Sequence, residues 1–358
     1  MQIHHPVCIP GGPLHCSRCV PLVFALVTAL AVIGPASYAQ DCPQCNTDSI
    51  LPTGEWLLTK HVTEVNVLFV AIHNGKPVDG LSHSDLAIQD DNKAPTAILG
   101  FRTERDLPLR VGVVIDTSNS VTSRFRFEQE AASAFLRQQV NRGDDLAFVM
   151  GFSDHPRVTQ DFANDPDLLS KGVARLTIGG GTALYDAVYR GCQKLLHRPE
   201  QDVVARVLVV LTDGQNNAGI ISLDDAIAAA QEAGITIYAI STNYRPETIA
   251  ERDMADSGNA NLHKLSEQTG GRVLLPASPK DVEKAFAKIG EELRSRYAIS
   301  YKPADFKPDG RYRKIKIEAR KTGEKLEIRA RKGYYARLAS SLSSELPEEA
   351  LNVASPPR

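Results

Sequence analysis

Five residues of this chain carry side chains that could share one ion. Asp116, Ser118 and Ser120 stand in a D-x-S-x-S run, Thr182 follows the glycines Gly179–Gly181, and Asp213 stands in Thr212-Asp213-Gly214. All five end in oxygen, and none is a strong nucleophile or a soft metal ligand. Hydroxyls and carboxylates of this kind suit a hard divalent cation, Mg²⁺ before Zn²⁺ or Cu²⁺.

Residues nearly a hundred positions apart meet only if the fold brings them together. The D-x-S-x-S run directly follows the apolar stretch Val111–Ile115, and Thr212-Asp213-Gly214 directly follows Val207–Leu211. These continuous aliphatic runs read as strands buried on both faces. Between them, the three glycines open onto a helical pattern. In an open parallel sheet, strand C-termini and the loops after them gather along one edge, where such folds bind ligands.

The surrounding pattern supplies that sheet. Strands are expected at Leu109–Ile115, Asp145–Phe152, Arg206–Leu211, Ile235–Ile240 and Arg272–Leu275. Helices are expected at Arg124–Val140, Asp165–Leu176, Ala183–His197, Leu223–Ala233, Leu262–Thr269 and Pro279–Arg294. Ser222 reads as an N-cap, and Gly234 as the residue that ends the helix after it. Alternating β and α predicts an α/β fold: a doubly wound, mostly parallel sheet with helices on both faces.

The segments D-T-S-N-S at 116–120, G-G-G-T-A-L at 179–184 and L-T-D-G at 211–214 resemble the von Willebrand factor A domain family with its metal-ion-dependent adhesion site. The resemblance covers roughly residues 105–295 and fills all five metal positions. It implies that Ser118, Ser120 and Thr182 give oxygens directly, while Asp116 and Asp213 act largely through water or as outer partners. It further implies Mg²⁺, with Mn²⁺ or Ca²⁺ as substitutes, and an acidic residue of a partner protein in the open position. Asp186, one helical turn after Thr182, has two readings: an outer group that orients the site, or an early-helix acid favoured by the helix dipole.

These residue types also have plainer uses. Ser118 and Ser120 could cap the next helix while Asp213 shapes a turn, but that leaves the Thr after three glycines unexplained. No Gly-Lys-Ser/Thr follows the glycines, so a phosphate loop is not indicated. Arg142-Gly143-Asp144 spells an integrin-binding tripeptide, but it falls where a helix needs a terminating Gly. The histidines form no metal-like pair, and no G-x-S-x-G elbow or supported base appears. An enzyme is therefore not expected.

The chain has 358 residues and a formal charge of −2, which gives no case for nucleic acid or an anionic membrane. Residues 20–33 read as the apolar core of a signal peptide, preceded by Arg18. Ser37-Tyr38-Ala39 places small residues for cleavage after Ala39. The run is short for a membrane span, which needs about 20 apolar residues. An exported protein with no span after cleavage, secreted or periplasmic, is expected; a retained anchor is the other reading. Cys42 and Cys45 form a C-x-x-C read as a local disulfide or cap, and Cys192 reads as a small buried apolar residue.

The domain plan is then 1–39 signal, 40–55 leader, 56–104 β segment, 105–294 α/β domain, 295–336 β segment and 337–358 disordered tail. In the first β segment Val65, Val67, Phe69 and Ala71 alternate; in the second, Tyr297, Ile299 and Tyr301 do the same. Neither has enough strands to stand alone, so pairing of the two as a small sandwich is expected. Residues 291–336 hold 14 Lys and Arg against 7 Asp and Glu. A solvated strand face is the favoured reading, with an anion-binding surface as the other. The expected function is adhesion-type capture of a partner protein presenting Asp or Glu. The alternative is an accessory subunit that docks an envelope enzyme.

Overall fold

A computed structural model describes residues 64–103, 107–140, 142–200 and 203–336. The signal and leader segments, with Cys42 and Cys45, lie outside the described residues, as does the C-terminal tail.

The first four strands are β1 (Val65–His73), β2 (Lys76–Pro77), β3 (Leu86–Asp90) and β4 (Ala97–Thr103). Asn74 and Gly75 both adopt positive φ between β1 and β2, which suits a two-residue hairpin turn. The α/β part follows: β5 (Leu109–Asp116), α1 (Phe125–Gln139), β6 (Leu146–Phe152), β7 (Pro156–Ala163), α2 (Pro166–Ala174), α3 (Leu184–Leu196), β8 (Ala205–Thr212), α4 (Leu223–Glu232), β9 (Thr236–Ser241), α5 (Ile249–Gln268), β10 (Val273–Leu274) and α6 (Val282–Leu293). The chain closes with β11 (Arg296–Lys302), β12 (Tyr312–Lys321), β13 (Glu324–Ala330) and β14 (Gly333–Tyr335).

The α/β part is built on a sheet of order β10-β9-β8-β5-β6-β7. Five strands run parallel, and the edge strand β7 is antiparallel to β6. β5 is buried along its whole length. Helices α1, α2 and α6 cover one face, and α3, α4 and α5 the other, each over its own apolar core. The expected doubly wound fold is therefore present. Strand order reverses at β5, with β6 on one side and β8 on the other. The crevice outside the carboxyl ends of β5 and β8 is the place where this topology holds ligands.

Two elements differ from expectation. The sequence pattern gives no strand at β7, whose residues are half-exposed and show no aliphatic run. α5 starts at Ile249 rather than Leu262, because Thr248 and Glu251 form a capping box thirteen residues earlier.

The remaining strands make one antiparallel sheet of order β14-β12-β13-β1-β11-β4, with β3 on β12 and β2 on β1. It curls around its own core, which includes Val67, Phe69, Tyr297, Ile299 and Tyr301. It is a single curled sheet rather than two facing ones. β1 lies between β11 and β13, so strands before and after the α/β part share hydrogen bonds. Buried Asp90 accepts from Tyr301 Oη at 2.8 Å and Tyr334 Oη at 3.0 Å, tying β3 to β11 and β14. Several of the basic strand residues are paired, while Arg296 is buried over the Tyr238 ring. Arg313 pairs with Asp309 and Asp91, Lys316 and Lys325 with Glu318, and Arg329 with Glu292 and Glu327. That pattern fits the solvated-face reading.

Candidate metal centre

β5 ends on Asp116, which is fully buried. Its Oδ1 accepts from the Ser118 backbone N at 2.9 Å, and its Oδ2 from Thr212 Oγ1 at 2.8 Å. The carboxylate therefore joins the ends of β5 and β8 while each oxygen keeps a free lone pair. Ser118 and Ser120 follow on a short turn, their Oγ atoms 3.0 Å apart. Ser118 makes no capping bond to that turn, so the plain capping use does not account for it. Ser120 Oγ lies 3.4 Å from Asp213 Oδ2. Asp213 does shape its own turn, through Oδ1 accepting from the Gln215 N at 3.0 Å, but Oδ2 faces the serines.

Thr182 arrives on the glycine loop, which backbone hydrogen bonds sew to the same edge. The Gly179 N donates to the Thr117 carbonyl at 2.9 Å, and the Asn119 N to the Gly180 carbonyl at 3.2 Å. The Thr182 N donates to Asn217 Oδ1 at 2.7 Å, and its carbonyl accepts from the backbone of Asn217 and Ala218. Gly180 has φ +84°, and a Cβ there would meet Asp154 Oδ2 at 2.2 Å. That explains a glycine at this position better than any phosphate-binding use.

Asp186 spends its Oδ2 on the backbone N atoms of Ile220 and Ile221, at 3.0 and 3.2 Å. It braces the loop after β8 against the start of α3. Three further groups were not singled out in the sequence. Asp154 accepts from the Gly181 N at 2.7 Å, Asn216 from the Tyr185 N at 3.2 Å, and Asn217 from Thr182 as above. Their only local signal is a turn-favouring composition.

The donor set fits a hard cation. Burial pushes the Asp116 carboxyl up, and the charge of Asp213 pushes it the same way. Two carboxylates thus oppose each other beside the hydroxyls of Ser118 and Ser120, an arrangement that a divalent cation relieves. Among the described residues, no group of three or more His, Cys, Asp or Glu side chains could hold a metal ion. An ion at this edge would therefore rely on Ser118, Ser120 and Thr182 for neutral oxygens, with the carboxylates of Asp116 and Asp213 behind them.

Residues 111–288 match the family model for the von Willebrand factor type A domain. An uncharacterized protein of Borreliella burgdorferi is 26% identical over 216 residues, which is 57% of this chain and 60% of that protein. The chain therefore spans less than two thirds of the length of that curated relative. Among solved structures, a von Willebrand factor type A protein from Catenulispora acidiphila is 13% identical with a TM-score of 0.42, covering 73% of this chain and 76% of its own. The von Willebrand factor domain of a type V pilus tip protein from Porphyromonas gingivalis is 14% identical with a TM-score of 0.41, covering 52% and 94%.

Proposed function

The chain is a von Willebrand factor type A domain protein, its residues 111–288 forming that domain, and from that premise we propose that it captures a partner protein through a bound divalent cation. The reading is of an exported, non-catalytic binding protein. Ser118, Ser120 and Thr182 hold Mg²⁺ by their hydroxyls, and Asp116 and Asp213 support it. Neutral hydroxyls leave much of the ion's charge unquenched, so an Asp or Glu of the partner is the ligand that completes its shell.

The observation that carries this reading is the meeting of Asp116, Ser118, Ser120 and Asp213 at one strand edge, with the Thr182 loop hydrogen-bonded to it. The surroundings support it. Of the large apolar side chains exposed among the described residues, Phe127, Ile220, Ile249 and Leu275 sit on loops or first helical turns that follow strand C-termini of the α/β sheet, Ile178 directly before Gly179, and Met254 on the second turn of α5. Ile220 is 86% exposed although its backbone is held by Asp186. Exposed apolar side chains on the loops of that edge suit a protein-docking face.

The test is capture of partner protein from an envelope extract with Mg²⁺ or with EDTA, by the natural chain and by Asp116→Ala. Capture should require Mg²⁺ and vanish in Asp116→Ala, which circular dichroism should show to be folded. Metal-dependent capture by the folded variant would refute the site assignment. Export is checked separately, by a mature N-terminus at Gln40.

A further inference from the structure

We propose that Arg124 and Glu128 are positioning residues for the ion site: a half-buried arginine paired with a fully buried carboxylate, which together hold the Ser118–Val121 turn in place and cancel a guanidinium charge beside the bound cation. The inference rests on the metal reading above and adds to it the device that shapes the site from behind.

One guanidinium makes three separate contacts. Arg124 Nη1 donates to the Ser120 carbonyl at 2.9 Å, and Nη2 donates to Thr242 Oγ1 at 3.1 Å. Its Nε stands 3.2 Å from Glu128 Oε1, one turn further along α1. The Thr242 N in turn donates to the Thr212 carbonyl, and Thr212 Oγ1 donates to Asp116. Arg124 thus ties the serine turn after β5 to the ends of β9 and β8, and its plane lies over the Tyr244 ring at 5.7 Å.

Glu128 is the unexpected member. Its side chain is fully buried, and neither carboxylate oxygen makes a well-aligned hydrogen bond. The groups facing it are Arg124 of its own helix, the Tyr244 hydroxyl of the loop after β9 and the charge of Asp116 at the end of β5. A buried acid so placed is costly, and an apolar side chain of similar size would pack there more cheaply. Its presence is explained by Arg124. That guanidinium is needed at the Ser120 carbonyl, yet its positive charge would repel a divalent ion a few bonds away. Glu128 restores the balance without occupying the ion's own shell.

The test separates metal affinity from stability. Mg²⁺ binding to the full chain is measured calorimetrically at pH 8 for the natural protein, Glu128→Gln and Arg124→Ala, with the melting temperature of each taken in EDTA. Glu128→Gln should weaken Mg²⁺ binding about tenfold or more, the range seen when outer partners of metal ligands are lost. Its melting temperature in EDTA should be unchanged or higher, because an uncharged amide replaces a buried charge. A purely structural residue would not move these two quantities in opposite directions. Equal Mg²⁺ affinity in folded Glu128→Gln would overturn the proposal, as would a fall in stability with affinity intact. If Arg124→Ala does not fold, Arg124→Lys replaces it: one ammonium cannot make all three contacts, so it should also weaken Mg²⁺ binding. Absence of Mg²⁺ binding by the natural chain would instead refute the ion site itself, and the brace with it.

Discussion

At the scale of single residues, the site depends on groups that would look unremarkable in isolation. Thr212 donates its hydroxyl to the buried Asp116 carboxylate, and both are fully buried. Thr212→Val keeps the shape and removes the donor, so it should cost about 1–3 kcal/mol of stability, measured by urea unfolding in EDTA. Glu128 sets a pH dependence. Burial raises its carboxyl from 4.5 to about 7, with Arg124 acting in the opposite direction. A raised carboxyl pKa means that the folded state holds its proton longer than the unfolded chain does. The contribution of Glu128 to stability is therefore full below about pH 4.5 and is lost as pH rises to about 7. In EDTA, the natural protein should lose on the order of 3 kcal/mol relative to Glu128→Gln over that window. A parallel pH profile for the two would refute this. The five oxygen donors were legible because each follows a strong local signal: an aliphatic strand or a glycine run. Thr212 directly precedes Asp213 in the sequence, yet its bond to Asp116 is not legible there. Asp154, Arg124 and Glu128 were missed for the same reason, since their partners lie 27 to 118 positions away or are defined by burial alone.

At the scale of elements, close backbone approach matters more than side-chain identity. α5 packs directly onto the Asp213 loop, and a Cβ at Gly258 would lie 2.1 Å from the Asp213 carbonyl oxygen. Gly258→Val should therefore push the loop outward. The expected result is about 1–3 kcal/mol of lost stability, as for overpacking elsewhere, together with weaker Mg²⁺ binding. Unfolding and calorimetry on the same sample check both, and unchanged metal affinity would show that α5 does not position Asp213. The central strands were legible from their aliphatic runs. β7 was not, because a half-exposed edge strand has no such run and begins at a proline. The first half of α5 was hidden for a related reason. Its residues are mostly exposed and polar, so no apolar stripe marks it, although the Thr248–Glu251 capping box gives its start.

At the scale of the whole molecule, the α/β part sits between two stretches of chain that complete one sheet. The strand count of each flank argued for pairing, and the hydrophobic alternation told which residues face inward; what neither reveals is a curled single sheet, which depends on long-range register. β1 has β11 on one side and β13 on the other. Ending the chain after Arg294 removes both, and it should expose Val65, Val67 and Phe69. Hydrogen exchange on that truncation should show protection lost across residues 65–103 and kept across β5, β6 and β8. Full protection of 65–103 would mean that those strands do not depend on the C-terminal ones. On the proposed reading, the carboxyl edge of the α/β sheet, with its oxygen cluster, is the face that meets the partner.

The central claim is that three hydroxyls and two carboxylates at that edge hold one divalent ion. Crystals grown with Mn²⁺ and measured at a wavelength where manganese scatters anomalously would test it most directly. The account predicts one anomalous peak at about 2.0–2.3 Å from the hydroxyl oxygens of Ser118, Ser120 and Thr182, with Asp116 and Asp213 beside it. A peak elsewhere in the molecule, or none at this edge at saturating Mn²⁺, would contradict it.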